Sequence, residues 1–142
     1  MDWVELARSV HGHIGVLAAI ALVHPVIFLR PNRPLSRGQR WSVAGAGALF
    51  AVAMGMGLAL YPHFRETERP RLLAHDFAVA MWFERKEHLV YIAACLVFGG
   101  VGTVFLARNG EHNGRARLMF GLAAGICLFA ASVGTTVGAW IG

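Results

Sequence analysis

The stretch Trp82–Ala107, WFERKEHLVYIAACLVFGGVGTVFLA, decides the fold of this chain. Its first residues are densely charged, but after His88 no Asp, Glu, Lys or Arg occurs until Arg108. An uncharged apolar run of about 20 residues can cross the ~30 Å hydrocarbon layer of a bilayer as a helix. The stretch therefore predicts a transmembrane helix that begins at a charged boundary, with a histidine at its outer end.

Three other segments of the chain share this uncharged, apolar character. The four predicted spans are residues 9–29, 41–64, 88–107 and 118–141. Mean hydropathy is +0.54 and only 15% of the residues are charged, which is too apolar for a soluble domain of this size. We therefore expect an all-α integral-membrane protein, in which residues 1–142 form a single transmembrane domain folded as an up-down-up-down four-helix bundle.

The basic residues are concentrated in the first and third connections between spans. Glu111 is the only acid in these two loops, which carry Arg30, Arg33, Arg37, Arg40, Arg108, Arg115 and Arg117. Loops rich in arginine stay on the cytoplasmic side of a membrane. We therefore expect a bacterial inner-membrane protein whose termini and outer loop, residues 62–87, face the periplasm. The basic loops predict contact with membrane lipid and give no indication of nucleic-acid binding.

An offset of 77 residues, the separation of His11 and His88, aligns the two halves of the chain without a gap. It aligns arginine with arginine, histidine with histidine and glycine with glycine, at Arg8 and Arg85, His11 and His88, and Gly57 and Gly134. Similarity at a fixed separation is the signature of an internal repeat. It predicts two helical hairpins related by a pseudo-twofold axis along the membrane normal. The alternative is that the identities reflect shared composition.

In such a bundle the first and third spans lie on a diagonal, and His11 and His88 would face each other at one depth. Two opposed imidazoles are the axial ligands of a low-spin b-type haem. Two arginines, Arg8 and Arg85, could pair with its propionates. Two glycines, Gly57 and Gly134, could leave room for the flat macrocycle. The sequence thus predicts haem b near the outer surface. The alternative is that the histidines merely cap the spans.

Ligation by two histidines leaves no open position on the iron, so electron transfer is expected rather than oxygen binding. A quinone or a redox protein is then the expected partner. His11 and His13 lie about 200° apart on a helix, so only one of them can face the axis. If His13 faces inward, it shares its face with His24, and the predicted pairing changes.

The outer side of the bundle also offers a second kind of metal site. Imidazoles and carboxylates that could converge there are His11, His13, His63, His75, His88, Glu66, Glu84 and Glu87. Such ligands suit non-haem iron, zinc or copper. This alternative predicts a metal-binding membrane subunit or assembly factor, and a third is a purely structural subunit. His24, inside a span, is either functional or bonded to a carbonyl freed at Pro25.

Small residues four apart occur in the last span, at Gly121 and Gly125 and at Gly134 and Gly138. Such pairs let helices approach closely in lipid. They predict tight packing within the bundle or a homodimer formed through these faces.

The four spans, the histidines at helix ends and the basic turn together resemble the small four-helix integral-membrane b-type cytochromes. The resemblance covers the whole length at the level of topology and includes no family-specific motif. Cytochromes of this type usually hold two haems through four histidines. Here spans two and four have no interior histidine, since His63 lies at the outer end of span two. The departure implies one haem.

Overall fold

The computed structural model of the chain describes residues 2–107 and 110–141, except for the side chains of residues 75 and 137–141. Its helices are α1 (Trp3–Phe28), α2 (Arg37–His63), α3 (Arg69–His75), α4 (Phe77–Leu106) and α5 (Asn113–Ile141), and a π-helical segment, Phe64–Glu68, joins α2 to α3. The part of the chain described here contains no β-strand, so the predicted all-α class is confirmed.

Four stretches of these helices are long and apolar enough to cross a membrane, as the sequence predicts. They are Trp3–Phe28, Arg37–Ala74, Phe77–Leu106 and Asn113–Thr136. The large apolar side chains of these stretches lie mostly on the outside of the bundle, where Leu17, Ile20 and Phe98 are exposed. An apolar exterior of this kind suits a helix bundle surrounded by lipid.

The predicted outer loop, residues 62–87, is almost entirely helical in the structure. Pro70 lies in the first turn of α3, where its missing N–H is not needed by the helix. Asp76 interrupts the helical path and caps α4, because its Oδ1 accepts hydrogen bonds from the backbone N–H of Ala78 (2.9 Å) and Val79 (3.2 Å). From Phe77 onward, α4 therefore runs through the charged residues directly into the predicted third span.

Within the described residues, the helix contacts close a ring in the order α1, α2, α4, α5, so α1 and α4 lie on one diagonal. His11 near the start of α1 meets Gly57 near the end of α2, whereas His24 near the end of α1 meets Ser42 near the start of α2.

The second hairpin shows the same pattern of contacts between α4 and α5. Lys86 near the start of α4 meets Gly134, and Gly100 farther along α4 meets Phe120 near the start of α5. A Cβ on Gly100 would lie 3.1 Å from Cε2 of the fully buried Phe120 ring, so glycine is what lets the two helices approach. The interior is otherwise rich in alanine, which permits close helix packing in lipid.

The two basic loops contact each other at the end of the bundle opposite to His11. The N–H of Asn32 donates to the Gly110 carbonyl (3.1 Å), and the buried Asn113 amide donates to the Arg33 carbonyl (2.7 Å). Asn32 (φ 56°) and Gly110 (φ 76°) both have left-handed backbone, which asparagine and glycine tolerate best. The loops predicted to be cytoplasmic thus lie at one end. Arg108 and Asn109 are outside the described residues.

Buried positions in the first hairpin correspond to buried positions in the second, but the separation in sequence differs between the two pairs of helices. In α2 and α5 the buried positions are 77 residues apart, at Val43 and Phe120, Ala46 and Ala123, Gly47 and Ala124, Phe50 and Cys127, and Ala53 and Ala130. In α1 and α4 they are 75 apart, at Ala18 and Ala93, Ala19 and Ala94, Leu22 and Val97, Pro25 and Gly100, and Leu29 and Val104. A difference of two residues rotates a helix by about 200°.

Candidate functional site

His11 faces the interior of the bundle near the outer end of α1. It lies seven residues before Ala18 and eleven before Leu22, both buried, so the three share one helix face. Its ring rests on α2, where a Cβ on Gly57 would lie 3.0 Å from Cε1 and 3.5 Å from Nε2 of the imidazole. Of the two candidates His11 and His13, the structure turns His11 inward.

The inward imidazole has an unsatisfied nitrogen. Nδ1 of His11 is buried and has no hydrogen-bond partner among the described residues. A buried polar atom without a partner costs about 1–3 kcal/mol. Among the buried side-chain nitrogens and oxygens described, this is the one atom in that state. A ligand that bonds to the imidazole would offset that cost.

The other two histidines of α1 are exposed and already have local partners. Nδ1 of His13 lies 2.7 Å from the Ser9 carbonyl oxygen. Nδ1 of His24 lies 2.8 Å from Oγ of Ser42 on α2, and its ring meets Phe28 edge-on at 5.2 Å. His24 is thus bonded to a hydroxyl group, whereas the sequence offered a carbonyl freed at Pro25.

Lys86 occupies the position on α4 that corresponds to His11 on α1. It lies seven residues before Ala93 and eleven before Val97, as His11 does before Ala18 and Leu22. Its Nζ lies 3.7 Å from the centre of the Phe83 ring, and a Cβ on Gly134 would lie 3.6 Å from it. No carboxylate in the described part of the chain lies within 4.0 Å of this ammonium group.

Sequence reasoning missed Lys86 because the ungapped offset of 77 aligns it with Ser9. The usable signal was the helical spacing of Lys86, Ala93 and Val97, read separately from the offset. His11 and Lys86 come from the two helices of one diagonal, and each lies beside a glycine, Gly57 on α2 and Gly134 on α5.

His88 lies on the opposite face of α4. It is exposed, nine residues before Val97 and so half a turn around the helix, and its Nδ1 lies 2.8 Å from the Glu84 carbonyl oxygen. Ile92, Cys95 and Gly99, on the same face of α4, are also exposed. Iron ligation by His88 stays a prediction.

The two arginines predicted to bind propionates have partners within the chain. Arg8 forms an ion pair with Glu68, whose side chain is buried in the π-helical segment. The guanidinium of Arg85 lies 5.3 Å from the centre of the Trp82 ring. Pairing of either arginine with a propionate stays a prediction.

The residues of the alternative metal site do not converge. His13 and His63 are exposed, and Glu84 pairs with Arg69 at 2.6 Å. The described residues include no group of three or more His, Cys, Asp or Glu side chains that could hold a metal ion. The side chain of His75 and that of residue 138, in the second glycine pair, lie outside the described part.

Comparison with protein-family models, with curated proteins and with solved structures gives no match to this chain. The chemistry of the candidate site therefore follows from its residues alone. An unprotonated imidazole or amine nitrogen donates its lone pair to a metal ion. A protonated one donates a hydrogen bond to an acceptor oxygen.

Proposed function

We propose that this chain is an integral-membrane b-type haem protein for electron transfer, in which the imidazole of His11 would bind the iron. The observation that carries the proposal is the inward imidazole of His11, with its buried, unpartnered Nδ1 and its ring on Gly57. Histidine in a helix bundle is a common haem ligand, and coordination satisfies an imidazole nitrogen that protein atoms leave unpaired.

Gly57 on α2 packs against the His11 ring, Gly134 on α5 lies beside Lys86, and the interior below is made largely of alanine. No second imidazole or carboxylate joins His11 to form a cluster of three within the described residues. When bound, haem supplies reversible one-electron transfer, and the chain holds it and sets its depth in the membrane.

The membrane arrangement that goes with this function is an up-down-up-down bundle with pseudo-twofold symmetry in a bacterial inner membrane. The contact between the two basic loops supports one cytoplasmic end, because positively charged loops remain inside. The termini and His11 then face the periplasm. A haem at that depth would exchange electrons with a quinone or with a periplasmic redox protein, in a monomer or in a homodimer formed through small residues of α5.

A difference spectrum of the purified protein, reduced minus oxidised, tests this function. The protein is produced in cells supplied with a haem precursor, and His11→Ala is compared with His13→Ala, which removes an exposed histidine of the same helix. We expect the bands of a low-spin b-type haem in the wild type and in His13→Ala, and their loss in His11→Ala.

Two results would overturn the proposal. One is a colourless wild-type protein. Elemental analysis for iron, zinc and copper would then test the non-haem alternative. The other is loss of haem in His13→Ala but not in His11→Ala, which would show that the protein binds haem but that His11 is not its ligand.

A further inference from the structure

The basic end of the bundle contains a cavity of about 490 Å³, between the last turn of α1 and the first turn of α2. We propose that this cavity binds the headgroup of an anionic phospholipid, whose phosphodiester is held by Arg30 and Arg33. The inference goes beyond the proposed haem function and does not depend on it, because the cavity lies at the opposite end of the bundle from His11.

The lining of the cavity is cationic and includes no carboxylate. Arg30 and Arg33 both belong to it, and within the described residues neither forms an ion pair with an acid. Glu111, the only acid of the two basic loops, is not part of the lining. A guanidinium group presents a planar fork of N–H donors that matches two phosphate oxygens. The lining therefore suits an anionic lipid, whereas the ammonium of a zwitterionic headgroup would find no carboxylate there.

The backbone that carries both arginines is held by the neighbouring basic loop. The N–H of Arg33 donates to the Arg30 carbonyl (3.4 Å) in a tight turn, a geometry that brings the first and last Cα atoms within about 7 Å. The Arg33 carbonyl accepts a hydrogen bond from the buried Asn113 amide (2.7 Å), and the Gly110 carbonyl accepts one from the Asn32 N–H (3.1 Å). Because the turn is already ordered, less conformational entropy is lost when both arginines bind one phosphate.

The apolar neighbours of the arginines place the cavity at the depth of lipid headgroups. Phe28 is half-buried in the lining, and Ile27, three residues before Arg30, is 67% exposed on the outside of the bundle. Trp41, in the second turn of α2, is also 67% exposed, and tryptophan favours the boundary between headgroups and hydrocarbon. An acyl chain can lie along Ile27 while its phosphate reaches the arginines, which favours a lipid over free phosphate.

Native mass spectrometry of the full chain in detergent, titrated with dioleoyl phosphatidylglycerol or dioleoyl phosphatidylcholine, tests the site. We expect one phosphatidylglycerol to bind per chain, and phosphatidylcholine to bind more weakly. Each cationic side chain should contribute about fivefold in affinity, so Arg30→Gln/Arg33→Gln should weaken phosphatidylglycerol binding by about 25-fold. The matched control is Arg37→Gln, an exposed arginine of the same loop outside the lining, which should change the affinity by less than about twofold because its charge is screened.

Four results would overturn the inference. The double variant could bind phosphatidylglycerol as tightly as the wild type, or Arg37→Gln could lose as much affinity as the double variant, which would indicate diffuse attraction to the loop. Equal affinity for the two lipids would reject an anionic headgroup. Glycerol 3-phosphate that binds as tightly as phosphatidylglycerol would reject a lipid in favour of a free phosphate ester.

Two measurements separate this inference from misfolding and from the haem proposal. Helix content by circular dichroism should be the same in the double variant and the wild type, because both arginines are exposed. The haem difference spectrum of the double variant should also equal that of the wild type. A wild-type protein without haem that still binds phosphatidylglycerol through these arginines would reject the proposed function alone.

Discussion

The two helical hairpins place corresponding contacts at corresponding heights but use different side chains. In the first hairpin the His11 ring lies on Gly57, and in the second the Lys86 ammonium group lies beside Gly134. The rigid imidazole packs closely against Gly57, whereas the lysine side chain is long and flexible. The difference indicates that a repeated framework of small residues can carry two unlike nitrogen donors.

Among the described residues, Asn32 in the first turn and Gly110 in the second have left-handed backbone, and the two should differ in their tolerance of substitution. At Gly110 a Cβ would overlap the Arg33 carbonyl oxygen and lie 2.8 Å from Nδ2 of Asn113. We expect Gly110→Ala to destabilise the protein by about 2 kcal/mol or more, because backbone strain and a steric clash act together. Asn32→Gly, where glycine relieves a left-handed asparagine, should change stability by less than about 1 kcal/mol.

Thermal or denaturant unfolding in detergent measures both substitutions. Gly38→Ala is the control for an added methyl group, because a Cβ there meets nothing within 4 Å. Equal stability of Gly110→Ala and Gly38→Ala would show that the contact between the two loops does not constrain the hairpins.

The glycines at the candidate site should also respond differently to alanine. A Cβ on Gly57 would lie 3.0 Å from the His11 ring, whereas one on Gly134 would lie 3.6 Å from the end of a flexible lysine. We expect Gly57→Ala to destabilise the protein by about 1 kcal/mol and to weaken haem retention, since over-packing displaces the ring. Gly134→Ala should be neutral or stabilising by up to about 1 kcal/mol, because alanine favours helix over glycine.

The measurement pairs unfolding with the ratio of haem to protein after purification. If Gly134→Ala loses haem and Gly57→Ala keeps it, then the close contact of His11 with α2 is not what positions the imidazole.

Two ion pairs join the outer helical segments, and they should contribute unequally. Arg8 pairs with Glu68, whose side chain is 11% exposed, while Arg69 pairs with Glu84, whose side chain is 28% exposed. Removal of Arg8 leaves a largely buried carboxylate without a partner, so we expect Arg8→Ala to cost about 1 kcal/mol. Arg69→Ala should cost less than about 1 kcal/mol, because its partner is better solvated.

Salt dependence of the unfolding midpoint separates these two pairs. Added salt should reduce the contribution of the Arg69 pair more than that of the Arg8 pair, since buried charges are screened less. Identical losses for the two variants at low and high salt would contradict the ranking by burial.

The helices could be predicted from the sequence because an uncharged run of sufficient length is visible without any knowledge of packing. The inward position of His11 could be predicted as one of two alternatives. The position of Lys86 on the diagonally opposite helix could not be predicted. The offset of 77 aligns the buried positions of α2 and α5, but those of α1 and α4 are 75 apart, and each residue of error turns a helix by about 100°. Burial of Ala93 and Val97 was needed to place Lys86.

The outer segment shows a second limit of the sequence. Charged residues and Pro70 favour a solvated loop, yet proline is compatible with the first turn of α3, and Asp76 confines the interruption to one residue between α3 and α4. Composition alone did not distinguish a capped helix junction from a loop. The ion pair of Arg8 with Glu68 could not be predicted either, because it joins residues 60 positions apart in the chain.

The π-helical segment Phe64–Glu68 has a consequence for the direction of the chain that follows it. A π-helical turn bonds each carbonyl to the N–H five residues on, so it contains more residues per turn than an α-helix. The extra residue changes the rotational phase between α2 and α3 while the helical path continues. Loss of one residue from this segment would return the path to α-helix and turn the Glu68 carboxylate by about 100°, away from Arg8.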